Sequence, residues 1–197
     1  MTSYETIRKK IVDQAAAVGH AEPTLVAVSK TKSLEEVLKV YHQGQKIFGE
    51  NYVQELIEKS NAVQALGIKD LEFHFIGHLQ RNKVKLLLPH ITAIHSVDSV
   101  RLFEEIEKHA GEWNGGIFIQ VNIDDEASKG GFRPDELSTF TDWVKTHQPR
   151  TKILGLMCIP DPDKNPTRAF AHLAQLRDDA QGALGTHLSM GMTSDYL

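Results

Sequence analysis

Short apolar runs alternate with longer amphipathic segments along the whole chain. Tyr4, Ile7, Ile11, Ala15 and Val18 recur every three or four residues and predict a first helix ending near Gly19. Residues 25–29 follow Pro23 as a strand-like run. Ser33 with Glu36 three residues on is a capping-box pattern, and Leu34, Val37, Leu38 and Tyr41 give the helix it opens an apolar face, closed by Gly44. The unit then repeats. Residues 47–49, 73–76, 93–97, 117–123, 153–159 and 187–191 read as further strands, with 117–123 and 153–159 the longest. The helices expected between them carry Val53, Leu56, Ile57 and Val63 up to Gly67, then run from near Gln80 to Leu88 before Pro89. The next starts at Asp98 as N-cap, with Val100, Phe103 and Ile106 inward. Two more open at Pro134, with Leu137, Phe140 and Val144 inward, and at Asn165-Pro166, with Phe170, Leu173, Leu176 and Ala180 on one face.

Strand-helix alternation of this kind implies a parallel sheet buried on both faces. A doubly wound open sheet and a (β/α)8 barrel both fit. No Gly-x-Gly-x-x-Gly follows the first strand, which removes the main support for a dinucleotide-binding open sheet. Polar residues sit just after strand ends (Ser29, Lys30, Glu50, Asn51, Asn122, Thr193 and Ser194), where a barrel keeps its functional face. The expected fold is a TIM-type (β/α)8 barrel forming one domain over residues 1–197. Barrels of this type usually need roughly 250 residues, and the pattern supplies seven strands. The eighth strand is therefore expected to be missing from a C-terminally short chain.

Composition narrows the partners. The 197 residues are 41% apolar and 24% charged, with a net charge of -4, as in an ordinary globular chain. That balance argues against nucleic acid or an anionic membrane as the main partner. Cys158 is the single cysteine, so no disulfide framework is expected. The N-terminus lacks the basic and apolar regions of a signal peptide, and no run of about 18 apolar residues occurs. A cytoplasmic, soluble, monomeric protein is expected.

Lys30 is the most informative residue. It ends an apolar strand and shares alternation with Val26 and Val28, so it projects into the barrel mouth if those two face inward. There it is expected to lose hydration and to feel the cation of Lys32, and both effects favour the neutral amine that attacks a carbonyl to form a Schiff base. The alternative is a lysine that only ends the strand and reaches water. A second cluster is Ser189-Met-Gly-Met-Thr-Ser194, where hydroxyls and, if Asp195 opens a helix, N-terminal amides suit an anion such as phosphate. An ordinary Ser/Thr helix cap is the plainer reading. Asn51 and His74 lie near strand ends, with His74 on the parity of Ile76 and opposite to Phe73 and Phe75; a satisfied core histidine is the alternative there. The His74/His78 and His90/His95 spacings do not suit a metal, and Arg81, Lys83 and Lys85 read as a solvated face.

Five stretches together resemble one family: Ala27-Val-Ser-Lys-Thr-Lys32, Phe48-Gly-Glu-Asn-Tyr-Val-Gln-Glu55, His74-Phe-Ile-Gly-His-Leu-Gln-Arg-Asn-Lys83, Gly155-Leu-Met-Cys-Ile-Pro160 and Ser189-Met-Gly-Met192. They cover nearly the whole chain in order, and the family is that of the pyridoxal 5′-phosphate homeostasis proteins, single-domain relatives of the alanine racemase barrel. The resemblance implies that Lys30 carries pyridoxal phosphate as an internal aldimine, and that Ser189, Gly191, Thr193 and Ser194 grip its phosphate. Asn51, His74, Gly77 and Met157 would surround the pyridine ring. It implies a binding and delivery role toward pyridoxal-phosphate-dependent apoenzymes, with no catalytic residue and no metal. Family members continue into a final strand with an Arg-x-Gly-Thr motif, which has no counterpart among these residues. An amino-acid racemase is the runner-up, but racemisation needs a base on each face of the substrate carbon, and only the lysine is in view. A class I aldolase shares the strand-end lysine yet leaves the motifs around Asn51 and His74 unexplained.

Overall fold

The capping box forms as its spacing predicts: Ser33 Oγ accepts the Glu36 N–H, and the Glu36 carboxylate accepts the Ser33 N–H. This fixes the start of the first helix after a strand, and the same economy of local signals places the rest. The computed structural model describes residues 3–126, 129–193 and 195–196. In chain order the elements are α1 (Ser3–Ala17), β1 (Ala27–Val28), α2 (Leu34–Tyr41), β2 (Ile47–Glu50), α3 (Val53–Ala65), β3 (Glu72–Phe75), α4 (Val84–Leu87), β4 (Ala93–Val97), α5 (Val100–Ala110), β5 (Gly116–Gln120), α6 (Leu137–His147), β6 (Lys152–Met157), α7 (Pro166–Asp179) and β7 (His187–Ser189). Among the described residues no helix is long and apolar enough to cross a membrane.

All seven strands are parallel and pair in chain order, from β1 to β7. Alternation splits each strand between two environments. Phe48, Phe73, Phe75, Ile94, Ile117, Ile119 and Leu156 join one core with helix residues such as Val37, Leu56, Phe103, Phe140 and Leu173. The opposite face carries His74, His95, Phe118 and Ser189, which touch one another. These contacts reveal the curvature. Strands lie roughly 4.8 Å apart, so β4 and β7, three positions apart, would stand about 14 Å from each other in a flat sheet. His95 Nδ1 on β4 instead lies 2.6 Å from Ser189 Oγ on β7. The sheet is therefore curled on itself, a TIM-type barrel with seven strands among the described residues and the expected eighth not among them.

Several local expectations are corrected. The first strand is only Ala27–Val28, because the chain turns at Thr31, whose φ is +64°. The segment before Pro89 is not one helix: α4 spans four residues between 3-10 turns at Arg81–Lys83 and Leu88–His90. Ser99, not Asp98, caps α5, its hydroxyl accepting the Leu102 N–H while donating to Asp98. β5 ends at Gln120 and β6 is longer; the Val121 N–H still donates to the Met157 carbonyl, while Phe132 folds back beside Val121 and bonds Gln120 and Asn122. Asn165 caps α7 as expected. Asp195 and Tyr196 are not helical; a turn joins Met192 to Asp195 instead.

Candidate functional site

The inner face of the curled sheet is the place where polar side chains meet. His74 Nδ1 lies 2.9 Å from His95 Nε2, and His95 Nδ1 lies 2.6 Å from Ser189 Oγ. The His95 ring packs on Phe118 with centroids 4.5 Å apart. Burial lowers the His74 pKa to about 4, partly opposed by the charge of Glu72. Burial lowers that of His95 to about 3, and the neighbouring His74 adds to the effect. Both imidazoles are therefore neutral near pH 7, each with one N–H, and the line can only run with all donors pointing one way.

The other expected residues lie at or just past strand ends. Met157 ends β6, buried, and stands in register with Gln120 on one side and Ser189 on the other. Gly77 follows β3 in backbone contact with Asn51: a Cβ built on Gly77 would sit 2.2 Å from the Asn51 carbonyl oxygen. Ser96 at the end of β4 donates its hydroxyl to the Gly77 carbonyl, 2.5 Å away, and fixes that contact. The Asn51 Oδ1 is buried without a hydrogen-bond partner. Gly191 has φ of +89°, a left-handed conformation that suits glycine, just past Ser189. Thr193 is exposed in the turn that follows, and Ser194 lies outside the described residues.

Lys30 departs from expectation in its surroundings. Val26 packs over Gly49 beside Ile76, which places that side of β1 on the inner face, and Ser29 points the other way into Glu50. The expected alternation does not reach Lys30, which sits in the turn closed by the Lys32 N–H on the Ser29 carbonyl and is exposed, as is Val28. Lys32 does not supply a free cation either, since its Nζ lies 3.3 Å from Glu36. The expected desolvation is thus not seen, and the Lys32 charge is shared with Glu36. Among the described residues the Lys30 amine has no hydrogen-bond or ion-pair partner.

Two important groups are missed in the sequence. His95, weighed there only as a metal ligand, joins the two halves of the inner face, and its signal was a histidine inside a strand-like run. Behind β1, Lys59 Nζ donates to the Ser29 carbonyl, Glu50 Oε1 and Glu55 Oε1 at 2.7, 2.6 and 2.8 Å. The signal there was a lysine three residues after Leu56 and four before Val63, inside the apolar stripe of α3.

A phosphorylated aromatic aldehyde such as pyridoxal phosphate suits much of this donor set. An unengaged amine, a hydroxyl backed by neutral imidazoles, an unpartnered amide oxygen and a glycine turn are all available. The fit is poorer at the outer turn. The Met192 N–H there already donates to the Asp195 carboxylate, which an incoming phosphate would have to displace.

The family described as alanine racemase, N-terminal domain, matches residues 3–197. The pyridoxal phosphate homeostasis protein of Aquifex aeolicus is 41% identical over 180 residues, covering 87% of this chain and 77% of that one. PipY of Synechococcus elongatus PCC7942, solved with PLP bound, is 31% identical with a TM-score of 0.73, covering 94% of this chain and 90% of that one. Alanine racemase from Corynebacterium glutamicum shares the fold at a TM-score of 0.64 and 14% identity; 94% of this chain matches 52% of the racemase.

Proposed function

The chain belongs to the pyridoxal phosphate homeostasis protein family, and from that membership we propose that it is a single-domain binding protein that holds pyridoxal 5′-phosphate on Lys30 and passes it to apoenzymes. The observation that carries this reading is the His74–His95–Ser189 line on the inner face, with Lys30 exposed just past the end of β1 and without a partner among the described residues to hold it elsewhere. The relatives' name and the PLP-bound PipY support it. Lys30 would hold the cofactor through its amine at the aldehyde carbon, a condensation that releases one water and needs no oxidant or reductant. When bound, the cofactor supplies an electron sink for amino-acid chemistry.

The protein's own groups do the holding. For Ser189 to donate its hydroxyl to phosphate, His95 Nδ1–H must donate to Ser189 Oγ and His74 Nδ1–H to His95 Nε2. Neutral rings allow this polarity. The Gly191 turn would offer backbone amides to the same anion, and Asn51, Gly77 and Met157 would edge the ring. Thr193 and Ser194 complete the phosphate side in this reading.

The runner-up, an amino-acid racemase, needs a second base opposite the lysine. His95 has both ring nitrogens engaged, which leaves it unsuited to that task. The test is a titration of the purified protein with pyridoxal phosphate, followed by visible absorption. Saturable growth of an imine band that Lys30→Ala abolishes is expected; a band of equal strength in Lys30→Ala would refute the reading.

A further inference from the structure

The chain on either side of Lys30 is gripped from behind. Ser29 donates its hydroxyl to Glu50 Oε1 at 2.6 Å, and its carbonyl accepts from Lys59 Nζ at 2.7 Å. The Thr31 N–H donates to Glu55 Oε1 at 2.6 Å. Both carboxylates in turn accept from the same Lys59 ammonium, which spends its three protons on these three oxygens. Glu50, Ser29 and Lys59 are 0%, 4% and 7% exposed. None of them reaches the inner face, because Glu50 shares strand parity with Phe48, which packs in the helix-facing core.

Burying an ammonium and a carboxylate is costly, and an apolar pair of similar size often serves stability as well. What apolar residues lack is the ability to fix backbone atoms individually. Thr31 needs that hold most. Its φ of +64° is disfavoured for a β-branched residue, and the Glu55 acceptor restrains it where β1 has already ended. The Glu50 Oε2 stays buried without a partner, so the cluster is not arranged for its own satisfaction.

We infer that Lys59, with Glu50 and Glu55, is a positioning device that fixes the backbone of residues 29 and 31 and so aims the Lys30 amine into the barrel mouth. The inference rests on the reading of Lys30 as the cofactor lysine. It assigns no contact between Lys59 and the cofactor.

Two variants test it: Lys59→Met, which removes all three donors, and Glu55→Ala, which removes the Thr31 acceptor and keeps the buried Lys59–Glu50 pair. Should Lys59→Met fail to fold, Glu55→Ala carries the test alone, and Lys59→Arg serves as the conservative control. One readout is amide hydrogen exchange in protein free of cofactor; the other is the rate at which added pyridoxal phosphate becomes fixed to Lys30 by borohydride. Thr31 protection and the Lys30 labelling rate are each expected to fall by about tenfold or more, with β4 and β5 amides unchanged and partial rescue by Lys59→Arg. Unchanged Thr31 exchange and labelling in Glu55→Ala would overturn the inference, as would a uniform loss of protection across the sheet. If the parent protein is labelled at another lysine, the cofactor-lysine reading falls, and the exchange measurement still decides whether the clamp orders Thr31.

Discussion

Acid should weaken this protein well above the range where carboxylates titrate, and the inner-face histidines are the reason. Unfolded, each would titrate near 6.5; folded, burial holds His74 to about 4 and His95 to about 3. Their folded pKa values are depressed, so the unfolded chain takes up protons first. Stability from these groups is full above about pH 6.5 and is lost as pH falls toward 4 and 3. Between pH 7 and pH 5 each histidine accounts for a loss of about 2 kcal/mol, so the pair removes about 4 kcal/mol. That is a large part of the roughly 5–15 kcal/mol typical of a domain. His90 is lowered by burial as well and adds to the same trend. The assay is urea unfolding at pH 7, 6 and 5, with free energies extrapolated at a common slope, on the parent and on His74→Gln/His95→Gln. The double variant starts less stable, but its dependence on pH over this window should be much flatter. A parent free energy flat to within about 1 kcal/mol from pH 7 to 5, or an equal slope in the double variant, would refute the burial argument.

Three further outcomes are expected. Gly77→Ala would put a methyl group 2.2 Å from the Asn51 carbonyl oxygen, forcing β2 and β3 ends apart; a loss of about 1–3 kcal/mol in unfolding experiments and weaker cofactor binding in the absorption titration should follow. Cys158 is buried and its thiol is pushed up to about 12, mainly by burial, so a disulfide reagent should modify native protein far more slowly than urea-unfolded protein at pH 8; equal rates would contradict that burial. Incubation of the cofactor-loaded protein with L-alanine should give no sustained D-alanine by chiral chromatography, whereas turnover abolished by Lys30→Ala would favour the racemase reading.

What local chemistry decides was readable from the residues. The Ser33–Glu36 box and the Asn165 cap need only neighbours three or four positions away, and both form. The parity that set His74 against Phe73 and Phe75 likewise predicted which face each occupies. Longer-range competition decided the rest. Asp98 and Ser99 are both good caps, and the choice fell to Ser99 because the carboxylate sits beside His78 and accepts the Ser99 hydroxyl instead. Residues 121–123 have strand character, but Phe132 folds back onto them. Lys30 could be placed at a strand end, whereas its exposure depends on what covers the mouth. His95 and Lys59 gain meaning only from Ser189, Ser29 and Glu50, which are 94, 30 and 9 positions away in the chain.

The most direct test of the proposed site is chemical. The full chain is incubated with pyridoxal phosphate, reduced with borohydride to convert the imine to a stable secondary amine, digested and mapped by mass spectrometry. Modification concentrated on Lys30, and lost when excess inorganic phosphate competes for the Ser189 side, is the expected result. Modification confined to Lys32 or Lys83, or spread evenly over exposed lysines, would contradict it.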